Sequence, residues 1–100
     1  MSMQGYYEQT TFSNLSATPS AFKLLGGTYG MLVTATWGGG SVDLKKLSAD
    51  GSTYVSVLSS TFTANAYQTV NVPPGTYQLT VTTATAVYAD ITSVIAAAGP

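Results

Sequence analysis

Few side chains in this sequence could do acid–base or nucleophilic chemistry. The carboxylates are Glu8, Asp43, Asp50 and Asp90, and the cations are Lys23, Lys45 and Lys46. Arginine, histidine and cysteine are absent. Imidazole and thiol catalysis are thereby ruled out, and zinc and iron–sulfur sites lose their usual ligands. No cofactor or metal is expected. A glycosidase would need two carboxylates flanking a sugar, about 5–9.5 Å apart. Asp50 belongs to Asp50-Gly51, where turn geometry accounts for it, and Glu8 lies in an N-terminal segment. Asp43 and Asp90 remain, each on a strand and each expected to face solvent. Serine is plentiful, but only a lysine could activate it. The string Gly39-Gly40-Ser41-Val42-Asp43 lacks the closing glycine of a nucleophile elbow. Gly38-Gly39-Gly40 lacks the Gly-Lys-Ser/Thr ending and the following helix of a phosphate loop, and reads as a hairpin loop. The chain is expected not to be an enzyme.

The aromatic residues divide into two groups. Trp37, Tyr29, Tyr77 and Phe62 sit in strand patterns and are expected in the core. Tyr6, Tyr7 and Phe12 lie among Gln, Thr and Ser. They are the candidate interface residues, suited to a sugar-binding platform, to docking on a neighbouring subunit, or simply to covering the edge of their own domain.

The elements that would carry these residues are strands. Tyr29, Met31, Val33, Ala35 and Trp37 alternate with Thr28, Gly30, Thr34 and Thr36, and only Leu32 breaks the pattern. Val42 and Leu44 begin a second strand; Leu47 falls out of phase, which a bulge near Lys45-Lys46 would repair. Asp50-Gly51 is a hairpin signal. Tyr54 to Phe62 reads as one strand, with Val55 and Val57 on the same face. Thr63 to Ala66 reads as a loop, and Val70 and Val72 mark a short strand. Pro74-Gly75 fits the central positions of a type II turn. Tyr77, Leu79 and Val81 alternate with Gln78, Thr80 and Thr82. Val87, Ala89, Ile91 and Ile95 share one face of the last strand, with Tyr88, Asp90 and Thr92 on the other. A short helix in the Ala-rich tail is the alternative there. Gly5–Thr11 and Ala21–Leu25 are weaker strand candidates. The expected fold is all-β: an antiparallel β-sandwich, jelly-roll-like, of about six to eight short strands. Residues 1–14 form an N-terminal arm or edge strand, and residues 15–100 a single sandwich domain.

At 100 residues the chain has room for one core, with about 64 per cent of the open-chain surface buried on folding. Charged residues make up 7 per cent of the sequence and the net charge is −1, against about 25 per cent charged residues in ordinary domains. Three lysines cannot line a nucleic-acid groove, so no nucleic-acid partner is expected. The N-terminus lacks the basic start and apolar run of a signal peptide. The apolar stretch from Ala84 to Ala98 is too short and too polar to span a bilayer, so no membrane partner is expected either. Low charge suits a permanent assembly, because neutral surfaces associate without desolvating ions. A homo-oligomer is therefore expected.

The sequence also resembles a known kind of protein. The residues concerned run from Gly27-Thr28-Tyr29-Gly30-Met31-Leu32-Val33-Thr34-Ala35-Thr36-Trp37 through Val42-Asp43-Leu44 and Asp50-Gly51-Ser52-Thr53-Tyr54. They continue with Val72-Pro73-Pro74-Gly75-Thr76-Tyr77 and close on Thr83-Ala84-Thr85-Ala86-Val87-Tyr88-Ala89-Asp90-Ile91. Over about Gly26 to Val94 this is similar to the small all-β virion proteins of tailed bacteriophages, especially head decoration or cement proteins. The resemblance implies synthesis in a host cytoplasm and a place on the capsid exterior. It also implies the major capsid protein as partner, and trimers in preference to dimers. Pro-Gly-Thr-Tyr before a strand is also used by carbohydrate-binding sandwiches, so a carbohydrate-binding module on a phage fibre or tail is the alternative.

Overall fold

A computed structural model describes residues 8–94. They form eight strands: β1 (Gln9–Leu15), β2 (Phe22–Leu24), β3 (Gly27–Thr36), β4 (Ser41–Leu47), β5 (Tyr54–Ser56), β6 (Ala66–Val72), β7 (Gly75–Thr82) and β8 (Thr85–Ser93). Four make sheet I, in the order β1-β8-β3-β6, and four make sheet II, in the order β2-β7-β4-β5. All pairings are antiparallel. First pairs with eighth, second with seventh, third with sixth and fourth with fifth. This nesting is the winding of a jelly roll. The expected β-sandwich is the observed fold; the candidate Ala21–Leu25 gives β2, Gly5–Thr11 overlaps β1 from Gln9 onward, and the tail is strand rather than helix through Ser93, with Gly5 to Tyr7 and Ile95 to Ala98 outside the described residues.

The core follows from the period of two. Tyr29, Met31 and Val33 of β3 and Val87, Ala89 and Ile91 of β8 point inward from sheet I, toward Val42, Leu44, Tyr77 and Leu79 of sheet II. The valine, leucine, isoleucine and methionine side chains among them each contribute about 1.5–3 kcal/mol by leaving water. Phe62 is also buried, and Trp37 packs at the margin, donating its indole N–H to the Asn65 side chain at 2.9 Å. Tyr77 donates its hydroxyl to the Pro73 carbonyl, four residues upstream, at 2.5 Å. Burial pushes that phenol's pKa up, which keeps it a donor.

Several local expectations are corrected. Gly38-Gly39-Gly40 turns the chain, but not into a hairpin, because β3 and β4 lie in different sheets; the turn is a crossover. Gly75 is not at a positive-φ turn position. It opens β7 opposite Leu24, and Gly26, at φ 96°, takes the left-handed conformation beside Pro74. No bulge interrupts β4, whose register with β7 is continuous from Ser41 to Lys46. Lys46 occupies a core-phase position, with its carbon stem against Gly75. The strand expected from Tyr54 to Phe62 ends at Ser56. Its continuation follows β4 irregularly, through Val57 N–H to the Leu44 carbonyl, until Phe62 bridges to Val42.

The Asp50-Gly51 hairpin is present, joining β4 to β5. The Asp50 carboxylate accepts from the Ser48 and Thr53 hydroxyls and from the Ser52 and Thr53 backbone N–H groups, at 2.6–2.9 Å. These donors hold its pKa well below the ordinary value of 3.8. A carboxylate depressed in the folded state adds stability above its unfolded pKa and loses it as pH falls toward the folded one. The wild type is therefore expected to lose stability below about pH 4, and Asp50→Asn to lose less over the same interval. Urea midpoints at mildly and strongly acidic pH check this; parallel curves for the two proteins would contradict it.

Candidate functional site

Of the residues singled out from the sequence, Phe12 and Asp90 come together, along one hollow of sheet I, and the others do not join them. Tyr6 and Tyr7 lie outside the described residues. Phe12 sits on the inward side of β1 opposite Ala89. It meets Phe22 edge-to-face, with ring centroids 5.3 Å apart, and so covers the edge of its own sandwich. Asp43 and Asp90 project from the outer faces of opposite sheets, on either side of a sandwich about 10 Å thick, so they cannot flank one sugar. Asp43 was expected in solvent, yet it is 7% exposed. The Ser56 hydroxyl donates to it at 2.9 Å, because β5 lies alongside β4 there. Among the described residues no group of three or more carboxylates could hold a metal ion.

Glu8 closes one end of the sandwich. Its carboxylate accepts from the Tyr29 hydroxyl and from the Leu25 N–H, and the Tyr29 oxygen in turn accepts from the Gly26 N–H at 3.0 Å. Tyr29→Phe removes the hydroxyl from this junction while keeping the ring and the Leu25–Glu8 contact. It is expected to cost about 1–2 kcal/mol, the penalty for leaving polar groups unpartnered, read as a lower urea midpoint with unchanged m-value.

The feature most open to a ligand is the outer face of sheet I. One cross-strand row reads Thr11, Asp90, Leu32, Tyr67, and Tyr88 stands opposite Thr34 beside it. Leu32, Tyr67 and Tyr88 are 49%, 58% and 50% exposed. The Tyr67 ring lies over Gly30, where a side-chain carbon would meet it at 2.9 Å. Between β1, β8 and β3 the face holds a hollow of about 220 Å³, lined by Thr11, Phe12, Leu32, Thr34, Tyr88, Ala89 and Asp90.

Two irregularities set Tyr88. Ser13 and Asn14 together oppose it from β1, and on its other flank Ala86 and Val87 oppose Ala35 of β3. Asn14 and Ala86 have φ of 53° and 52°. The alternation placed Tyr88 and Asp90 outward, and Leu32 stood out as an exception. Tyr67 was missed, because nothing local says that β6 pairs with β3.

No protein-family model matches the sequence, and no curated protein matches it. The described strands define an eight-stranded jelly-roll sandwich. The chain shares its fold with a solved structure, the SPBc2 prophage-derived protein YomS. The match covers 93% of this chain and 100% of that one, with a TM-score of 0.59 and 10% sequence identity. Among the described residues no helix is long and apolar enough to cross a membrane.

Proposed function

We propose that this chain is a structural virion protein of a tailed bacteriophage, which decorates or cements the capsid by protein–protein adhesion and is not an enzyme. The observation that carries the reading is the fold shared along the whole length of a prophage-derived protein. The low charge of the sequence supports it, since neutral polar strands pack against a shell without desolvating ions. The partners are the major capsid protein and further copies of the chain, with a trimer preferred, on the capsid exterior. Each contact is modest, and many copies on one shell add avidity.

Particles assembled with and without the chain test this. Those lacking it are expected to release their contents at lower temperature and at lower ionic strength. Amine-directed cross-linking of complete particles is expected to join Lys23, Lys45 or Lys46, all on strands of sheet II, to the capsid protein. Equal resistance of the two particle types, or its recovery only with tail proteins, would sink the cementing role.

A further inference from the structure

We propose that the outer face of sheet I is a binding site for neutral carbohydrate, in which Tyr88 stacks on a pyranose ring and Asp90 accepts that ring's hydroxyls. The inference does not rest on the capsid reading.

The hollow's chemistry selects the ligand class. Its size, about 220 Å³, falls below the range of roughly 300–1,000 Å³ typical of drug-sized pockets, so it takes about one sugar ring. A half-exposed tyrosine offers a flat apolar surface with a polar tip, which suits the C–H face of a pyranose. Thr11 and Thr34 line the same hollow, and their hydroxyls can both donate and accept. Asp90 adds directional recognition. Thr92 Oγ1 at 2.6 Å and Gln9 Nε2 at 3.4 Å both donate to its Oδ1. Its Oδ2 has no partner among the described residues. A carboxylate oxygen oriented in this way makes charge-assisted hydrogen bonds to hydroxyls.

Charge excludes the main competitors. The chain's only cations, Lys23, Lys45 and Lys46, are on strands of sheet II. A phosphate, a sulfated sugar or a uronic acid would meet Asp90 with no counter-charge on this face among the described residues. The flanking backbone is a second, independent observation. A positive φ at a non-glycine residue is strained and persists where the surroundings impose it, often at ligand sites. β-Bulges likewise re-aim side chains beside binding sites. Here two such positions, Asn14 and Ala86, bracket the one tyrosine that lines the hollow.

Native affinity electrophoresis of the full chain tests the site. The gels would contain dextran, laminarin, yeast mannan or galactomannan, with alginate and heparin as anionic comparisons. At least one neutral gel is expected to retard the wild type, and neither anionic gel is. Tyr88→Ala is expected to weaken binding at least tenfold, Tyr88→Phe to retain it, and Asp90→Asn to weaken it severalfold. Val55→Ser, on sheet II, is expected to leave it unchanged. Should Tyr88→Ala fail to fold by circular dichroism, Thr34→Lys fills the hollow from an exposed position and must also abolish retardation. Absence of retardation in every neutral gel overturns the proposal. So does equal retardation in alginate, or retardation that survives in folded Tyr88→Ala. A wild type that self-associates, becomes monomeric on Tyr88→Ala and binds no polysaccharide also overturns it, and gives the face to a second copy of the chain.

Discussion

Leu79→Ala is expected to lose about 3 kcal/mol of stability, within the 2–5 kcal/mol seen when large aliphatic side chains are cut from close-packed cores. Leu79 sits in β7, between β2 and β4 in sheet II. It lies directly opposite Leu44, and both are 0% exposed. Removing its isopropyl group takes apolar area from the core and leaves a cavity that two rigid sheets cannot collapse around. A domain of this size has roughly 5–15 kcal/mol in all, so the loss is a large fraction. It should lower the melting temperature by more than about 10 °C. Urea denaturation followed by the fluorescence of Trp37, the chain's one tryptophan, gives the number directly. A loss below about 1 kcal/mol would mean that Leu79 is not enclosed between the sheets.

Gly40→Ala is expected to destabilise by a comparable amount, for the opposite reason. Gly40 lies where two crossovers touch. One is the β3–β4 turn, closed by the Gly40 N–H to the Trp37 carbonyl at 2.6 Å. The other joins β7 to β8 through a three-residue γ-turn, in which the Ala84 N–H reaches the Thr82 carbonyl at 2.7 Å around Thr83 at φ 66°. A methyl group on Gly40 would meet the Thr82 carbonyl oxygen and, at 2.5 Å, the Ala84 nitrogen. Both are backbone atoms and cannot rotate aside. Overpacking of this kind costs about 1–3 kcal/mol and occasionally more. Gly39→Ala separates this effect from turn conformation. Its added carbon meets nothing within 4 Å, and its φ is 81°, so it should lose only the left-handed penalty of about 1–2 kcal/mol. Equal losses for the two variants would show that small shifts relieve the contact at Gly40, which itself has no positive φ.

Strand faces were legible in the sequence wherever hydrophobic alternation was unbroken. Met31 and Val33, Leu79 and Tyr77, and Val87, Ala89 and Ile91 all point inward as the period of two requires. Pairing was not legible, since no local signal says that β3 lies between β8 and β6. The bulges escaped for the same reason. Ala86 is an ordinary residue whose positive φ arises from the register between β3 and β8. Pro74-Gly75 misled because glycine permits a positive φ without requiring one. The candidate site was half visible: Tyr88 and Asp90 were placed on the outer face of their strand, but their company with Leu32, Thr34 and Thr11 is a property of the sheet. Asp43 was misjudged because β5, which contributes Ser56, lies beside it only in the folded molecule.

The nested order of the strand pairs also governs how the chain acquires its structure. The innermost pair, β4 with β5, closes a short loop, whereas Gln9 meets Thr92 only after almost the whole described chain has been drawn together. Loop closure must be met before distant contacts repay it. Folding is therefore expected to propagate outward from the β4–β5 hairpin and to be slow for a domain of this length. Stopped-flow measurements should find that Leu44→Ala slows folding, whereas Ile91→Val mainly speeds unfolding; the reverse pattern would place the nucleus at the chain ends. Because β8 supplies Tyr88 and Asp90, and β1 borders them, the tyrosine face is not complete until β8 has docked between β1 and β3. A chain whose synthesis stops before Tyr88 therefore carries Leu32 and Tyr67 on β3 and β6 without the hollow between β1, β8 and β3.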